Sequence, residues 1–135
     1  MTAREEEGSV LLLTLGYALL ALALVFVCVD ATSLYLAQKR VEQVADAAAL
    51  AGADGFTIAV DGSAPAASLT AAGVREQAEE IVVAAGEARV VSAEAPDGLS
   101  ARVTVATLWR PPILAVFVPE GVELAATATS RTAFR

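Results

Sequence analysis

Histidine is absent from this 135-residue chain and cysteine occurs once. Without histidine there is no imidazole for metal ligation and no side chain that ordinarily titrates near neutrality for acid–base work. The lone Cys28 excludes an internal disulfide and a paired-thiolate zinc or iron–sulfur site. The glycines form neither a phosphate-cradling loop nor a dinucleotide fingerprint. Asp54 with Asp61 falls short of the convergent oxygen ligands that calcium needs, and Glu79 and Glu80, adjacent on a helix, project in different directions and make a poor acid/base pair. No enzyme activity, cofactor, metal or small-molecule substrate is expected. Positive charge is scarce too: 9 Lys and Arg stand against 16 Asp and Glu, a net charge of −7. Setting aside Arg4, Glu5, Glu6 and Glu7, residues 30–135 carry 13 acids and 8 bases. Neither nucleic acid nor an anionic membrane surface is therefore expected as an electrostatic partner.

Charge is missing altogether from Val10 to Val29, twenty residues reading VLLLTLGYALLALALVFVCV. At about 1.5 Å per residue a helix of that length covers roughly 30 Å, the thickness of the hydrocarbon layer. A continuous helix satisfies its own backbone there, where an isolated strand cannot. A cleaved secretory signal would need a shorter apolar core and a small-x-small site beyond it. Ala21-Leu22-Ala23 lies inside the run instead, and Asp30-Ala31-Thr32 makes a poor exit site. Lipidation of Cys28 is opposed by bulky Phe26 and Val27 before it, so Cys28 reads as a small apolar residue in lipid. Arg4 on one flank and Lys39 and Arg40 on the other leave the positive-inside bias close to balanced.

Beyond the run no proline interrupts the chain before Pro65. Leu34, Ala37, Val41, Val44, Ala48 and Ala51 recur in steps of three and four, a helix with one sticky stripe. Ala45, Ala47, Ala48, Ala49 and Ala51 favour helix and permit close approach of another backbone, either in the helix's own domain or in a neighbouring subunit. Gly52, followed by Asp54-Gly55, reads as the stop.

The order Glu-Glu-Gly-Ser, apolar span, Asp30, Leu34-Tyr35, then KRVEQVADAAALAGA from Lys39 to Ala53 resembles the TadE/TadG-like proteins of tight-adherence (Flp-type) pilus systems, in their short actinobacterial form. The resemblance implies a minor pilin, pseudopilin or membrane-anchored accessory subunit. It also implies a cytoplasmic N-terminus, an outward globular part, and assembly with other pilus subunits and a platform protein, with a homo-oligomer through the N-terminal helix among the options. Type IV-like prepilins are cut after a glycine, and Gly8-Ser9 can serve as such a site. The processed members usually carry glutamate at the fifth mature position, where this chain has Leu13, and no acid occurs from Ser9 to Val29.

The remainder reads as one small α+β domain. Gly62-Ser63-Ala64-Pro65 marks a loop, and Ser68 is placed to cap a helix running to a stop near Gly86. Leu69, Ala72, Ala78, Ile81, Val82 and Ala85 give that helix its apolar face, and Arg75, Glu76, Glu79 and Glu80 its wet one. Alternation over Ala88–Ala95 and Leu99–Leu108, joined by Pro96-Asp97-Gly98, predicts a hairpin, and Val122–Ala133 a third strand. Between the second and third strands, Pro111-Pro112 forbids regular structure while Ile113 to Val118 are all apolar. This connection closes the sheet against the stalk or, through Trp109, Ile113, Leu114, Val116 and Phe117, meets a membrane leaflet or a partner.

The expected organisation is a short cytoplasmic segment (1–9), a transmembrane helix (10–29), a helical stalk (30–52) and a small extracytoplasmic α+β domain (53–135) with an antiparallel sheet of about three strands. Two functions remain open: a pilus or pseudopilus subunit working by helix packing, or a single-pass anchor in the cell membrane displaying a small protein-binding domain. Membrane lipid is a partner in both.

Overall fold

The computed structural model describes residues 3–61 and 64–133 of the chain. A single helix, α1 (Ala3–Asp54), runs unbroken through the apolar run and on into the domain. Its 52 residues span about 78 Å at the ordinary helical rise. Residues 6–29 are exposed on every side, including all the large apolar side chains from Val10 to Val29. An apolar surface of that extent is untenable in water and ordinary in lipid. Among the described residues α1 is the one helix long and apolar enough to cross a membrane.

After α1 come a hairpin of β1 (Thr57–Asp61) and β2 (Ala64–Ser68), then α2 (Ala71–Ala85), and then three antiparallel strands: β3 (Ala88–Glu94), β4 (Ser100–Trp109) and β5 (Val122–Arg131). The sheet order is β3-β4-β5, with β4 in the middle. Alternation puts Ala101, Val103 and Val105 of β4 on the covered face. Opposite Val103 and Val105, Ala128 and Ala126 of β5 complete that face. Thr104 and Thr127 share a hydroxyl hydrogen bond on the other side.

The core forms where α1 and α2 lie on this sheet. From α1 it takes Val41, Ala45, Ala48, Ala49 and Ala53; from α2, Val74, Ala78 and Val82 at successive helical turns. The alanines let two backbones and a sheet come close together. Gly52 is not the stop expected of it. It lies inside α1 at the helix crossing, where an added Cβ would sit 2.8 Å from Val74 Cγ1 and 3.3 Å from the Ala101 Cβ.

Three other local expectations are corrected. Thr70, not Ser68, caps α2: its Oγ1 accepts the Gly73 N–H at 3.1 Å. Ser68 ends β2 instead, paired with Thr57. Ala64 and Pro65 belong to β2 and not to a loop, while Gly62 and Ser63 lie outside the described residues. Proline is tolerated there because a two-stranded hairpin is all edge. The apolar face of α2 centres on Val74, which leaves Ala72 and Ala85 exposed.

At the far end of the sheet, Asp97 fixes the β3–β4 turn. Its Oδ1 accepts from the Leu99 and Ser100 N–H groups at 3.0 and 2.6 Å, and its Oδ2 from the Ser100 hydroxyl at 2.9 Å. The Leu99 bond and then the Ser100 hydroxyl hold this carboxyl below its ordinary pKa. Gly98, at φ +68°, turns the chain, and its carbonyl accepts the Leu69 N–H at 2.8 Å, tying the approach to α2 onto the turn.

Candidate functional site: the membrane-proximal end of the domain

β4 runs antiparallel to α1. Ala101 lies against Gly52, and eight residues later Trp109 donates its indole N–H to the Ser33 hydroxyl at 3.1 Å. Four residues further on, the Ile113 N–H donates to Asp30 Oδ1 at 3.1 Å. The strand therefore descends the stalk, and the β4–β5 connection begins beside the first polar residue after the apolar run. Asp30 is only 6 % exposed beneath it, and its second oxygen, Oδ2, has no hydrogen-bond partner. A half-satisfied buried carboxylate is costly in isolation, so the contact holding the connection onto the helix is made against a real penalty.

The connection runs from Arg110 to Gly121. Pro111 is buried, a single 3₁₀ turn covers Leu114–Val116, and Gly121 at φ +75° returns the chain into β5. An added Cβ at Gly121 would meet the Trp109 carbonyl oxygen at 2.6 Å, so no other residue fits this return without backbone movement. Val116 and Phe117 stand out at 85 % and 80 % exposed.

An open groove of about 1510 Å³ runs along the same side of α1. Leu24, Cys28, Thr32, Leu36 and Arg40 line it on the helix, with Trp109 opposite. It crosses the level of Asp30, with its lower half flanked by apolar residues of the span and its upper half by the domain.

The residues expected to matter fall into three groups. Gly8 and Ser9 lie in exposed α1 backbone, and nothing stands within 4 Å of a Cβ added at Gly8. In the stalk stripe, Val41 and Ala48 are buried in the protein's own core, Ala37, Val44 and Ala51 are half-buried, and Leu34 is exposed. The alanine-rich part packs on α2 and the sheet, so the side of α1 open to a neighbour lies lower and elsewhere, at Leu34, Tyr35 and Leu36. Trp109, Ile113, Leu114, Val116 and Phe117 do gather, in the connection just described. Asp30, named from the sequence only within the family-like order, and Ser33 were not among the expected site residues.

Among the described residues no three acidic, cysteine or histidine side chains converge on one point. Two of the surface ion pairs, Lys39–Glu42 at 2.7 Å and Arg75–Glu79 at 3.1 Å, are exposed pairs within one helix each, and three more lie on the sheet.

A long apolar helix running into a small α+β domain fits a membrane-anchored protein. Residues 8–55 match the family model described as putative Flp pilus-assembly TadE/G-like. Over that stretch, which covers α1 from Gly8 onward, the chain is similar to this pilus-assembly family. Neither a curated protein nor a solved structure matches the chain.

Proposed function

We propose that the protein is a minor pilin, pseudopilin or membrane-anchored accessory subunit of a Tad/Flp-type pilus or secretion apparatus, working through helix packing with its N-terminus cytoplasmic and its domain outside. One observation carries this. α1 is a single rod whose upper third is locked into the domain core while its apolar lower half has no partner within the protein. A tether alone would need no rigid coupling between span and domain. A subunit that docks by its span and positions its domain does need it. The groove along α1 suits a neighbouring helix, since it is open both within the span and above it. The match over residues 8–55 covers this rod and not the sheet.

Crosslinking in native membranes tests the proposal. Cysteines at Leu34 or Leu36, in a Cys28→Ser background, are expected to give adducts with a second copy or with other pilus components. Val41 is unsuitable as a probe because it is buried. If no position along the exposed side of α1 yields an adduct with either, the subunit reading fails and the anchored binding domain takes its place.

The N-terminal mass discriminates within the proposal. With Leu13 where a processed pilin would carry glutamate, the membrane-extracted protein is expected to retain residues preceding Ser9, as a permanent anchor does. A start at Ser9 would make it a subunit extracted into a filament.

A further inference from the structure

The geometry points to a second membrane contact: the β4–β5 connection, with Val116 and Phe117 at its tip, rests in the headgroup–acyl boundary of the leaflet from which α1 emerges. The inference depends on the span proposed above and adds to it a fixed seat for the domain.

Four observations converge. The first is position. Asp30 directly follows the twenty apolar residues, and Ser33 is less than one helical turn above it, about 5 Å. The connection is bonded to both, through Ile113 N–H and Trp109 Nε1–H. It therefore cannot sit far from the lipid surface unless α1 itself rises out of the membrane. The second is composition. Pro111 to Pro119 contains no charged side chain, whereas Arg110 and Glu120 stand at its two ends, where they can reach water or headgroups. The third is exposure: Val116 and Phe117, two large apolar side chains, are 85 % and 80 % exposed, and no element of the protein covers them. Trp109, an indole with one apolar and one hydrogen-bonding end, lies at the same level, as tryptophan does at membrane interfaces.

The fourth observation is the state of the backbone. Backbone N–H groups that approach the acyl region lose water, so each one removed or paired within the protein lowers the cost of seating the loop there. Pro111, Pro112 and Pro119 have no N–H to satisfy. The N–H of Ile113 is taken by Asp30, those of Phe117 and Val118 by the Leu114 carbonyl at 2.9 and 3.2 Å, and that of Gly121 by the Val118 carbonyl at 3.2 Å. The segment presents apolar side chains outward, and four of its eight N–H groups from Pro111 to Gly121 are bonded within the protein.

Depth measurement by spin-label power saturation tests this on the full chain in nanodiscs of phosphatidylethanolamine and phosphatidylglycerol. Labels are placed singly, in a Cys28→Ser background, by Phe117→Cys, Leu50→Cys and Leu20→Cys. Leu50 is exposed on the domain 20 residues above Asp30, and Leu20 lies within the span. Fluorescence of Trp109, the chain's single tryptophan, reports that the connection stays docked in each variant. The expected result is a ratio of oxygen to nickel-complex accessibility at 117 several-fold above that at 50 and approaching that at 20. A ratio at 117 equal to that at 50, with 20 lipid-like, overturns the inference and leaves the anchor standing. Exclusion of both reagents at 117, with dipolar broadening that disappears on dilution by unlabelled protein, overturns it in favour of a second copy covering the tip. Water-like values at both 117 and 20 remove the membrane span itself.

Discussion

Replacing Leu19 and Leu20 together by arginine is expected to release the protein from the membrane fraction on alkaline extraction, whereas the same pair changed to alanine is expected to stay integral. Both leucines are near the middle of the apolar run and exposed, so neither substitution disturbs a contact within the protein. The run contains thirteen Leu, Val and Phe side chains, which on insertion scales together favour the bilayer by about 4–8 kcal/mol. Each arginine at the helix centre opposes insertion by about 2.5–3.5 kcal/mol, so two cancel most or all of that preference. Being adjacent, they project on different sides of the helix, and a tilt that lets one reach an interface does not serve the other. Alanine is close to neutral, and its helix propensity is the best available. The domain, which begins its core at Val41, should melt at an unchanged temperature in detergent for both variants. That control separates lost anchoring from lost folding. If the arginine variant remains membrane-integral, or if the unaltered protein extracts freely, the assignment of residues 10–29 to the bilayer is wrong.

How legible these features were depends on how local their causes are. The span shows in the sequence because twenty successive residues agree, and the sheet because β4 alternates Ala101, Val103 and Val105 against Arg102 and Thr104. The stalk is different. From Val41 to Ala53 small residues occur all round the helix, so periodicity predicts a helix with a stripe but does not say which neighbour the stripe meets. The structure uses Val41, Ala45, Ala48 and Ala49 for its own core, a choice set by α2 and β4 and not by α1 alone. The β1–β2 hairpin was invisible because Ala-Pro-Ala-Ala-Ser carries no β-branched residue and begins where Gly62-Ser63 reads as loop. The Pro-Pro connection was recognisable as an apolar segment without regular structure, but not its attachment. Asp30 meets Ile113 across 83 residues and Ser33 meets Trp109 across 76, and no spacing rule reaches so far.

The same reasoning singles out Gly52. In a helix, glycine costs about 1 kcal/mol relative to alanine and somewhat less relative to valine, so on propensity alone Gly52→Val should stabilise α1 slightly. Packing decides otherwise. Val74 Cγ1 would lie 2.8 Å from the new Cβ, before either γ-methyl is placed, and Val74 and Ala101 are both fully buried. Val74 is β-branched and held in one rotamer on α2, so it cannot swing aside as a long flexible side chain would. α1 must therefore move away from α2 and β4 at the point where all three meet. Overpacking of this kind costs about 1–3 kcal/mol and occasionally more, which outweighs the propensity gain. For a domain of roughly 100 residues, each kcal/mol lowers the melting temperature by about 4–8 °C, so a fall on the order of 10 °C is expected. Circular dichroism melting of the detergent-solubilised full chain measures it. Gly16→Ala is the comparison, since nothing stands within 4 Å of a Cβ there and it should leave the melt unchanged. A Gly52→Val protein that melts with the unaltered one would mean that α1 does not press on the domain at this crossing. The rigid link from span to sheet, on which docking of Trp109 and Ile113 beside Asp30 and Ser33 depends, would then be lost as an explanation.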